Sequence, residues 1–397
     1  MSLSTDLTVS DSLRRERYLK TAIYYLGFVV LGLTSASLGP TLTGLAENTR
    51  AQLSQVSVLF TARSLGYLLG SLLAGRVYDR LPGHRVMAVG LVGLALTLAL
   101  APVIPLLVVL AGVLLAMGIA EGLFDVGGNT LLVWVHGEKV GPFMNALHFF
   151  FGLGAFFSPV IIAQAVLATG RITLAYWVLA GLVLLPGMAL FLSPSPSHPH
   201  QSTAAIHAAA NVPLLAMLMV FFFLYVGAEV SFGGWLFTYA QAQGLAGAAE
   251  AAYLTSAFWG AFTAARLISI PVAQRVRPRT VLLVDLLGCA ASVAVMLAWP
   301  ESRLAVWVGA IGTGLGMASI FPTALLLAGR RMRITGFITS LFFLGSSAGG
   351  MLVPFLIGQF FERLGPPVTM GFILAALVLD LGVLAVLTLR FPAKDRG

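Results

Sequence analysis

The sequence predicts an all-α polytopic membrane protein with twelve transmembrane helices, arranged as two pseudo-symmetric six-helix bundles. Of its 397 residues, 58% are hydrophobic and only 10% are charged, whereas soluble proteins carry about 25% charged residues. Apolar stretches long enough to cross a hydrocarbon layer of ~30 Å recur along the whole chain. The two halves of the chain also repeat one pattern of glycine and proline. Together these observations predict the fold class.

The apolar stretches divide the chain into twelve spans that follow one another with short polar turns between them. Each is about 20 residues or longer, which is the length that a membrane-crossing helix needs. We predict spans at about 20–46, 51–76, 85–103, 105–133, 141–168, 171–192, 212–240, 249–274, 280–299, 303–328, 334–361 and 368–390.

The net charge of +8 is carried mainly by loops on one side of these spans. A strongly basic chain can bind nucleic acid or an anionic membrane surface, but here most of the 23 lysine and arginine residues follow the positive-inside rule. We therefore expect both termini in the cytoplasm and no nucleic-acid partner. The excess of arginine over lysine suggests a bacterial source. We therefore expect an integral protein of the bacterial inner membrane, with the lipid bilayer around it. We also expect a monomer.

A serine- and proline-rich segment separates the first six spans from the last six. Residues 193–211 break the apolar pattern, and proline and serine at this density are typical of a flexible connector. We predict an N-terminal six-helix bundle over 1–192, a cytoplasmic linker over 193–211, and a C-terminal six-helix bundle over 212–397.

The halves match in detail at an offset of about 195 residues. Gly154 and Pro159 in the fifth predicted span parallel Gly349 and Pro354 in the eleventh. Because an even number of spans separates the halves, they share one orientation. This is the parallel repeat found in a large class of transporters.

Two carboxylates lie one helical turn apart in the fourth predicted span. Glu121 and Asp125 share a face of the helix, and a charge at the centre of a bilayer costs at least ~2.5–3.5 kcal/mol. Such residues usually face a cavity or an ion pathway. Arg63, near mid-depth of the second span, should pair with one of them, either as a fixed structural pair or as a switch that a cation or solute displaces.

The seventh and eighth spans carry a second set of polar and aromatic residues. Glu229 is the repeat counterpart of about Ser35 in the first span, so it should lie near the central axis. Tyr225 and Trp259 could offer flat apolar surfaces to a solute ring, although packing in the core or against lipid is the commoner role of such residues.

No enzymatic site is indicated. The sequence shows no nucleophile–base pair, phosphate loop or metal-ligand cluster, and Cys289 is its only cysteine. We expect no enzyme activity and no bound metal cofactor. Arg266 and Asp285, in adjacent spans, are expected to form a structural ion pair.

The short turn at 75–85 resembles the signature loop of the major facilitator superfamily, with one extra residue. Its Gly75, Asp79, Arg80 and Arg85 occupy the positions of that motif. In the family, the aspartate caps the cytoplasmic start of the eleventh span and helps to hold an inner gate shut. The resemblance therefore implies a gate at Asp79, Arg80 and Arg85. An ordinary positive-inside loop is the alternative.

Longer segments resemble one branch of that superfamily, which contains fucose permease and the sodium-dependent glucose transporters. The resemblance covers essentially the whole chain and implies uptake of a hexose or related sugar coupled to a cation. The segments are Leu38–Thr41, Arg63–Tyr67, Asp125–Asn129, Ala146–Phe149 and Tyr225–Glu229.

The branch's functional residues carry over only in part. Asp125 matches the fourth-span acid, which in fucose permease links protonation to sugar binding, and Asn129 follows it four positions later. His148 stands where fucose permease has a sugar-contacting glutamine. That permease also has an aspartate in its first span, where this chain has hydroxyl residues such as Ser35, so sodium coupling is as open as proton coupling.

These observations predict a secondary active transporter, with Na⁺ or H⁺ as its coupling ion and a small solute, a sugar, as its substrate. An exporter or flippase of amphipathic compounds or lipids with the same fold is the alternative, and a non-transporting nutrient receptor is a third interpretation. The predicted cation-coupling residues are Asp125, Glu121, Glu229 and Arg63. The predicted substrate-binding residues are Asp125, Asn129, Asn145, His148, Ser35, Tyr225, Glu229 and Trp259.

Overall fold

The computed structural model of the chain describes residues 2–196, 211–332 and 334–391. Within these ranges the regular elements are all helical. Two single turns of 3₁₀ helix, Ala101–Val103 and Gly137–Lys139, accompany the α-helices. The α-helices are α1 (Ser2–Ser35), α2 (Leu38–Thr49), α3 (Leu53–Val56), α4 (Val58–Tyr78), α5 (Gly83–Leu100), α6 (Leu107–His136), α7 (Gly141–Thr169), α8 (Thr173–Leu192), α9 (Val212–Ala242), α10 (Ala248–Arg275), α11 (Pro278–Ala298), α12 (Arg303–Gly329), α13 (Gly336–Leu364) and α14 (Pro367–Arg390).

The all-helical membrane fold that the sequence predicts is confirmed. Among the described residues, eleven segments are long and apolar enough to cross a membrane. The eighth predicted span, α10, has 28 residues, or ~42 Å at 1.5 Å per residue, but is not among those eleven. It carries Glu250, Arg266 and Arg275, which lower its mean hydropathy.

The first two predicted spans are each built from two helices. The first is interrupted at Ala36 and Ser37, between α1 and α2. At this interruption the Ser37 hydroxyl donates to the Thr34 carbonyl oxygen at 2.7 Å. Serine and threonine hydroxyls compete in this way with the backbone pairing of a helix. The interruption leaves carbonyl groups at the end of α1 for other donors.

Successive spans run in opposite directions, so their connections alternate between two ends of the molecule. We call one end the basic end; it carries connections 78–83, 136–141, 275–278 and 329–336. The opposite end carries connections 49–53, 100–107, 169–173, 242–248, 298–303 and 364–367.

The repeat predicted from glycine and proline appears in the packing of corresponding helices. A Cβ added at Gly154 of α7 would overlap the Val29 carbonyl oxygen of α1. A Cβ added at Gly349 of α13 would likewise overlap the Phe223 carbonyl oxygen of α9. In each half, the fifth span therefore touches the backbone of the first at a glycine, five residues before a proline inside the helix.

The division into two bundles at residues 193–211 stays a prediction, because most of that segment lies outside the described residues. Its beginning lies against α5. The backbone N–H of His84 donates to the Ser195 hydroxyl at 3.0 Å, and the His84 ring Nδ1 lies 3.0 Å from the Ser193 carbonyl oxygen.

Candidate functional site

Arg63 and Glu121 form a two-pronged ion pair between α4 and α6. The Arg63 Nε donates to Glu121 Oε2 at 2.9 Å, and Nη2 donates to Oε1 at 2.5 Å. Arg63 is 8% exposed and Glu121 is 3% exposed. The expectation that Arg63 pairs with a carboxylate is confirmed, with Glu121 rather than Asp125 as its partner.

The same guanidinium also binds the interrupted end of α1. Its Nη2 donates to the Thr34 carbonyl oxygen at 2.8 Å, and its Nη1 donates to the Ser35 carbonyl oxygen at 3.2 Å. The last carbonyls of a helix have no partner within the helix, and they attract cations. Arg63 therefore joins α1, α4 and α6 at one point.

Glycines bring the backbones of α4 and α6 into contact at this point. A Cβ at Gly118 would overlap the Arg63 carbonyl oxygen, and a Cβ at Gly66 would overlap the Leu115 carbonyl oxygen. Small residues at such positions permit close approach of helices in a membrane. The contact sets Arg63 directly beside Glu121.

Asp125 has a different environment from Glu121, although it lies only one turn away. The Tyr67 hydroxyl donates to Asp125 Oδ2, and the Asn129 amide donates to Asp125 Oδ1 at 3.0 Å. Asp125 and Asn129 are both partly exposed. One carboxylate of this face is thus buried against a cation, while the other is held by neutral donors and remains accessible.

The remaining predicted residues of the first half lie on α1 and α7. Ser35 is partly exposed at the end of α1. His148 is partly exposed on α7, and its ring lies edge-on to Phe28 with 6.0 Å between the ring centroids. Asn145, one turn earlier on α7, is exposed.

The predicted residues of the second half lie on α9 and α10. Tyr225 is buried and donates to the Met317 carbonyl oxygen of α12 at 2.7 Å. Glu229, one turn further along α9, is partly exposed and close to the Tyr225 hydroxyl. Trp259 on α10 packs edge-on against Phe262, with 5.5 Å between the ring centroids.

The predicted ion pair of Arg266 with Asp285 is wrong. Asp285 accepts a hydrogen bond from the Ser319 hydroxyl of α12, because α11 packs along α12. The Arg266 Cζ instead lies 4.6 Å from the ring centroid of Phe262, within α10. Although α10 and α11 are consecutive in the sequence, these two side chains do not lie on surfaces that face each other.

Contacts between the halves join α3 and α4 to α13 at the opposite end. Glu362 accepts from the Leu53 backbone N–H at 2.9 Å and from the Ser54 hydroxyl at 3.4 Å. The Gln359 amide donates to the Ser54 carbonyl oxygen at 2.6 Å and to the Ser57 hydroxyl at 3.2 Å. We call this group, Glu362 and Gln359 with residues 53–57, the outer latch.

Further contacts between the halves continue from the outer latch towards mid-depth. The Thr61 hydroxyl donates to the Met351 carbonyl oxygen at 3.1 Å. On the other side of the molecule, the Gln164 amide of α7 donates to the Tyr253 hydroxyl of α10 at 2.7 Å. The two halves are therefore joined at the opposite end on both sides.

The predicted gate residues lie at the basic end. Asp79 is the C-terminal cap of α4, and its backbone N–H donates to the Gly75 carbonyl oxygen at 3.1 Å. The side chains of Asp79, Arg80 and Arg85 are exposed. Their role as a gate stays a prediction.

Two features of the site were not foreseen from the sequence. One is the contact of Tyr67 with Asp125. Tyr67 lies four residues after Arg63 on α4, and residues at this spacing share a face of a helix, so the spacing could have indicated that Tyr67 also faces the acids of the fourth span. Glu362 and Gln359 of the outer latch lie at the end of an apolar span, where polar side chains normally face water, so no pattern distinguished them.

The comparisons with known proteins agree with this architecture. The sequence model of the Major Facilitator Superfamily matches residues 24–354. Among curated proteins, "Sodium-dependent glucose transporter 1" of Xenopus laevis is 33% identical over 358 residues, covering 81% of this chain and 72% of that protein. "Sodium-dependent glucose transporter 1A" of Mus musculus is 30% identical over 375 residues, covering 84% of this chain and 88% of that protein.

Two solved structures share the fold. A crystal structure of the nucleoside transporter NupG superposes with a TM-score of 0.75 at 14% identity, covering 93% of this chain and 99% of that chain. A crystal structure of a D-xylose-proton symporter gives a TM-score of 0.75 at 12% identity, covering 92% of this chain and 97% of that chain. These relatives and neighbours are transporters, not enzymes. The chain is therefore an integral membrane protein of the Major Facilitator Superfamily, on the branch that resembles the sodium-dependent glucose transporters.

Proposed function

We propose that this transporter is a cation-coupled symporter of a hexose or related sugar that works by alternating access. The observation that carries the proposal is the state of Asp125. It is a partly exposed carboxylate within the fourth span, held by the neutral groups of Tyr67 and Asn129, beside an acid that is already neutralised by Arg63. A carboxylate in this setting can bind a cation directly.

The chemistry of the surrounding side chains supports a sugar as the solute. Sugar hydroxyls both donate and accept hydrogen bonds, so a sugar site needs acceptors and donors together. Asp125 and Glu229 supply acceptors, and Asn129 and His148 supply groups of both kinds. Relatives named for glucose transport point to the same solute class.

The same residues support a proposal for the coupling ion. Cation binding at Asp125, with Glu121 or Glu229 assisting, would remove a charge whose exposure changes between transport states. We favour Na⁺ because hydroxyl residues such as Ser35 stand at the first span and because the relatives are named as sodium-dependent. In this proposal the protein needs no other cofactor.

Alternating access requires that the contacts at the opposite end separate. The outer latch joins the halves at that end in the present structure. We propose that the basic end, with both termini and the gate residues Asp79, Arg80 and Arg85, faces the cytoplasm of a bacterial cell. Solute would then enter at the opposite end and leave at the basic end from a monomer.

Counterflow in proteoliposomes tests the solute class. Vesicles loaded with unlabelled glucose, galactose or fucose should draw in the labelled form of at least one of these sugars transiently. An exporter or flippase of lipids with the same fold would show no sugar exchange, and that result would overturn the proposal.

Imposed gradients test the coupling ion. A sodium gradient without a pH gradient, and the reverse, are set separately across vesicles that contain the transporter. Accumulation of the exchanged sugar above its external concentration under the sodium gradient alone supports Na⁺ coupling. Accumulation under the pH gradient alone would assign the role to protons, and accumulation under neither would make the protein a uniporter.

A further inference from the structure

Arg266 carries a charge within α10 that no carboxylate of the described residues contacts. Among the residues that the structure describes, the ion pairs are Lys20 with Glu16 and Arg63 with Glu121. The Arg266 guanidinium lies over the face of Phe262, and its buried Nε has no hydrogen-bond partner within the described residues. A charge at such a position in a membrane helix usually has a function.

A second unpaired donor lies on the same face of the helix. The Trp259 indole Nε1 is buried and has no hydrogen-bond partner among the described residues. Trp259 and Arg266 are seven residues apart, which is two helical turns, so they share a face. Phe262 lies between them and touches both side chains. Because buried N–H groups in proteins are almost always paired, the two unpaired N–H groups indicate that acceptor atoms bind at this face.

This face lies where the two halves meet. Thr263, on the same stretch of α10, is so close to α7 that a Cβ at Gly152 would overlap its hydroxyl. Arg266 lies within electrostatic range of His148 on α7, in the first half, and of Glu229 on α9, in the second. A solute held here would touch both halves.

Glu229 and Arg266 are close enough to interact but do not form a contact pair within 4.0 Å in the described structure. A hydroxyl group can donate to the Glu229 carboxylate while a neighbouring oxygen accepts from Arg266 or Trp259. Both charged groups are then satisfied by a neutral solute.

We propose that Arg266, together with the Trp259 indole N–H, determines solute specificity by donating hydrogen bonds to adjacent oxygens of a neutral pyranose. This inference rests on the proposed sugar transport. It gives a role in solute recognition to a residue for which the sequence predicts only a structural ion pair.

The test combines variants with altered sugars. Competition by each monodeoxy derivative of the transported sugar is measured in counterflow for the unchanged protein, Arg266→Gln and Trp259→Phe. The matched control is Arg331→Gln, which alters a partly buried arginine near the basic end whose Nε has no hydrogen-bond partner in the part of the chain that the structure describes. Asp285→Asn is a second control, because it removes the carboxylate once expected to pair with Arg266.

Arg266→Gln should raise the half-inhibitory concentration of the parent sugar roughly 10- to 100-fold, as loss of a hydrogen bond from a charged donor does. The deoxy derivative that lacks the hydroxyl bound by Arg266 should inhibit Arg266→Gln and the unchanged protein equally. Trp259→Phe, which keeps an aromatic ring, should show the same pattern at the same or an adjacent position. Neither control variant should change the order in which the deoxy derivatives rank by half-inhibitory concentration.

If Arg266→Gln weakens inhibition by the parent sugar and by every deoxy derivative equally, Arg266 acts only structurally. That result would overturn this inference alone. Absence of sugar exchange by the unchanged protein would overturn both this inference and the proposed function. If Arg266→Gln does not fold, Arg266→Lys keeps the charge but not the planar fork of donors. On addition of the parent sugar, the thermal midpoint of Arg266→Lys should rise less than that of the unchanged protein. An equal rise would also contradict the proposal.

Discussion

The guanidinium of Arg63 faces the carboxylate of Glu121 in a two-pronged pair, at the place where the first span is interrupted. Because Arg63 also holds the Thr34 and Ser35 carbonyl oxygens, one buried cation joins three helices of the first half. Within the described residues, Asp125 has no cationic partner. The two acids of the fourth span thus have separate environments, one buried against a cation and one partly exposed and held by neutral donors.

Removing one member of the Arg63–Glu121 pair should destabilise the protein strongly. Arg63→Met or Glu121→Leu alone leaves an uncompensated buried charge, which costs about 3–5 kcal/mol. The double variant should recover most of that loss, because apolar residues of similar size can replace a buried pair. Unfolding of the four proteins in detergent measures the coupling between the two positions.

The control variants are Glu16→Gln and Glu16→Ala, which remove the exposed carboxylate that pairs with Lys20 one turn away on α1, and they should change stability by less than about 1 kcal/mol. If Arg63→Met and Glu121→Leu each lower stability as little as the control variants do, the pair does not hold α1, α4 and α6 together.

Tyr67→Phe should weaken cation coupling without abolishing solute exchange. The variant keeps the ring but removes the hydroxyl that donates to Asp125 Oδ2, so the carboxylate loses one of the groups that orient it. A hydrogen bond of about 1 kcal/mol corresponds to a rise of about fivefold in the half-saturating cation concentration for uptake.

Tyr78→Phe is the control on the same helix, since the Tyr78 hydroxyl donates to the Leu123 carbonyl oxygen at 3.0 Å and not to Asp125. Equal cation dependence of the Tyr67 and Tyr78 variants would contradict a role for Tyr67 at the coupling site.

Disruption of the outer latch should open the opposite end. In Glu362→Ala, the backbone N–H of Leu53 loses its acceptor, and the contact between α3 and α13 weakens by about 1 kcal/mol. A cysteine introduced at Thr61, deeper between the halves, should then react about fivefold faster with a membrane-impermeant maleimide. The native Cys289 is buried and should contribute little labelling.

Glu301→Ala, which removes an exposed acid in a connection at the same end, should leave the labelling rate unchanged. A rate at Thr61→Cys that does not respond to Glu362→Ala would show that the outer latch does not control access.

Asp380→Leu should stabilise the protein. Asp380 of α14 is 0% exposed, and neither carboxylate oxygen has a hydrogen-bond partner among the described residues. An unsatisfied buried polar group costs about 1–3 kcal/mol, so an apolar residue of similar size should raise the thermal midpoint in detergent while transport continues. A lower midpoint would mean that the acid has a structural role that these contacts do not explain.

The spans and their order could be predicted from the sequence because each apolar run is long and ends at charged or turn-forming residues. The interruption of the first span at Ala36 and Ser37 could not. Serine, threonine and alanine are compatible with a continuous membrane helix, and the interruption is accompanied by tertiary donors such as Arg63, which lies 29 residues from Thr34 along the chain.

Partner choice inside the membrane was only partly predictable. The depth of Arg63 required a nearby carboxylate, but Glu121 and Asp125 lie one turn apart, and depth alone could not separate them. The close backbone contact at Gly66 and Gly118 decides in favour of Glu121. The expected pairing of Arg266 with Asp285 failed because sequence shows which helices are consecutive, not which faces they turn to each other.

The most direct test of this account is solute accumulation by Asp125→Asn in proteoliposomes under an imposed sodium gradient, with Glu301→Gln as a control acid outside the spans. We expect Asp125→Asn to lose accumulation above the external concentration and to keep measurable exchange of the same sugar, unlike both the control and the unchanged protein. Accumulation by Asp125→Asn at the normal rate and to the normal level would contradict it.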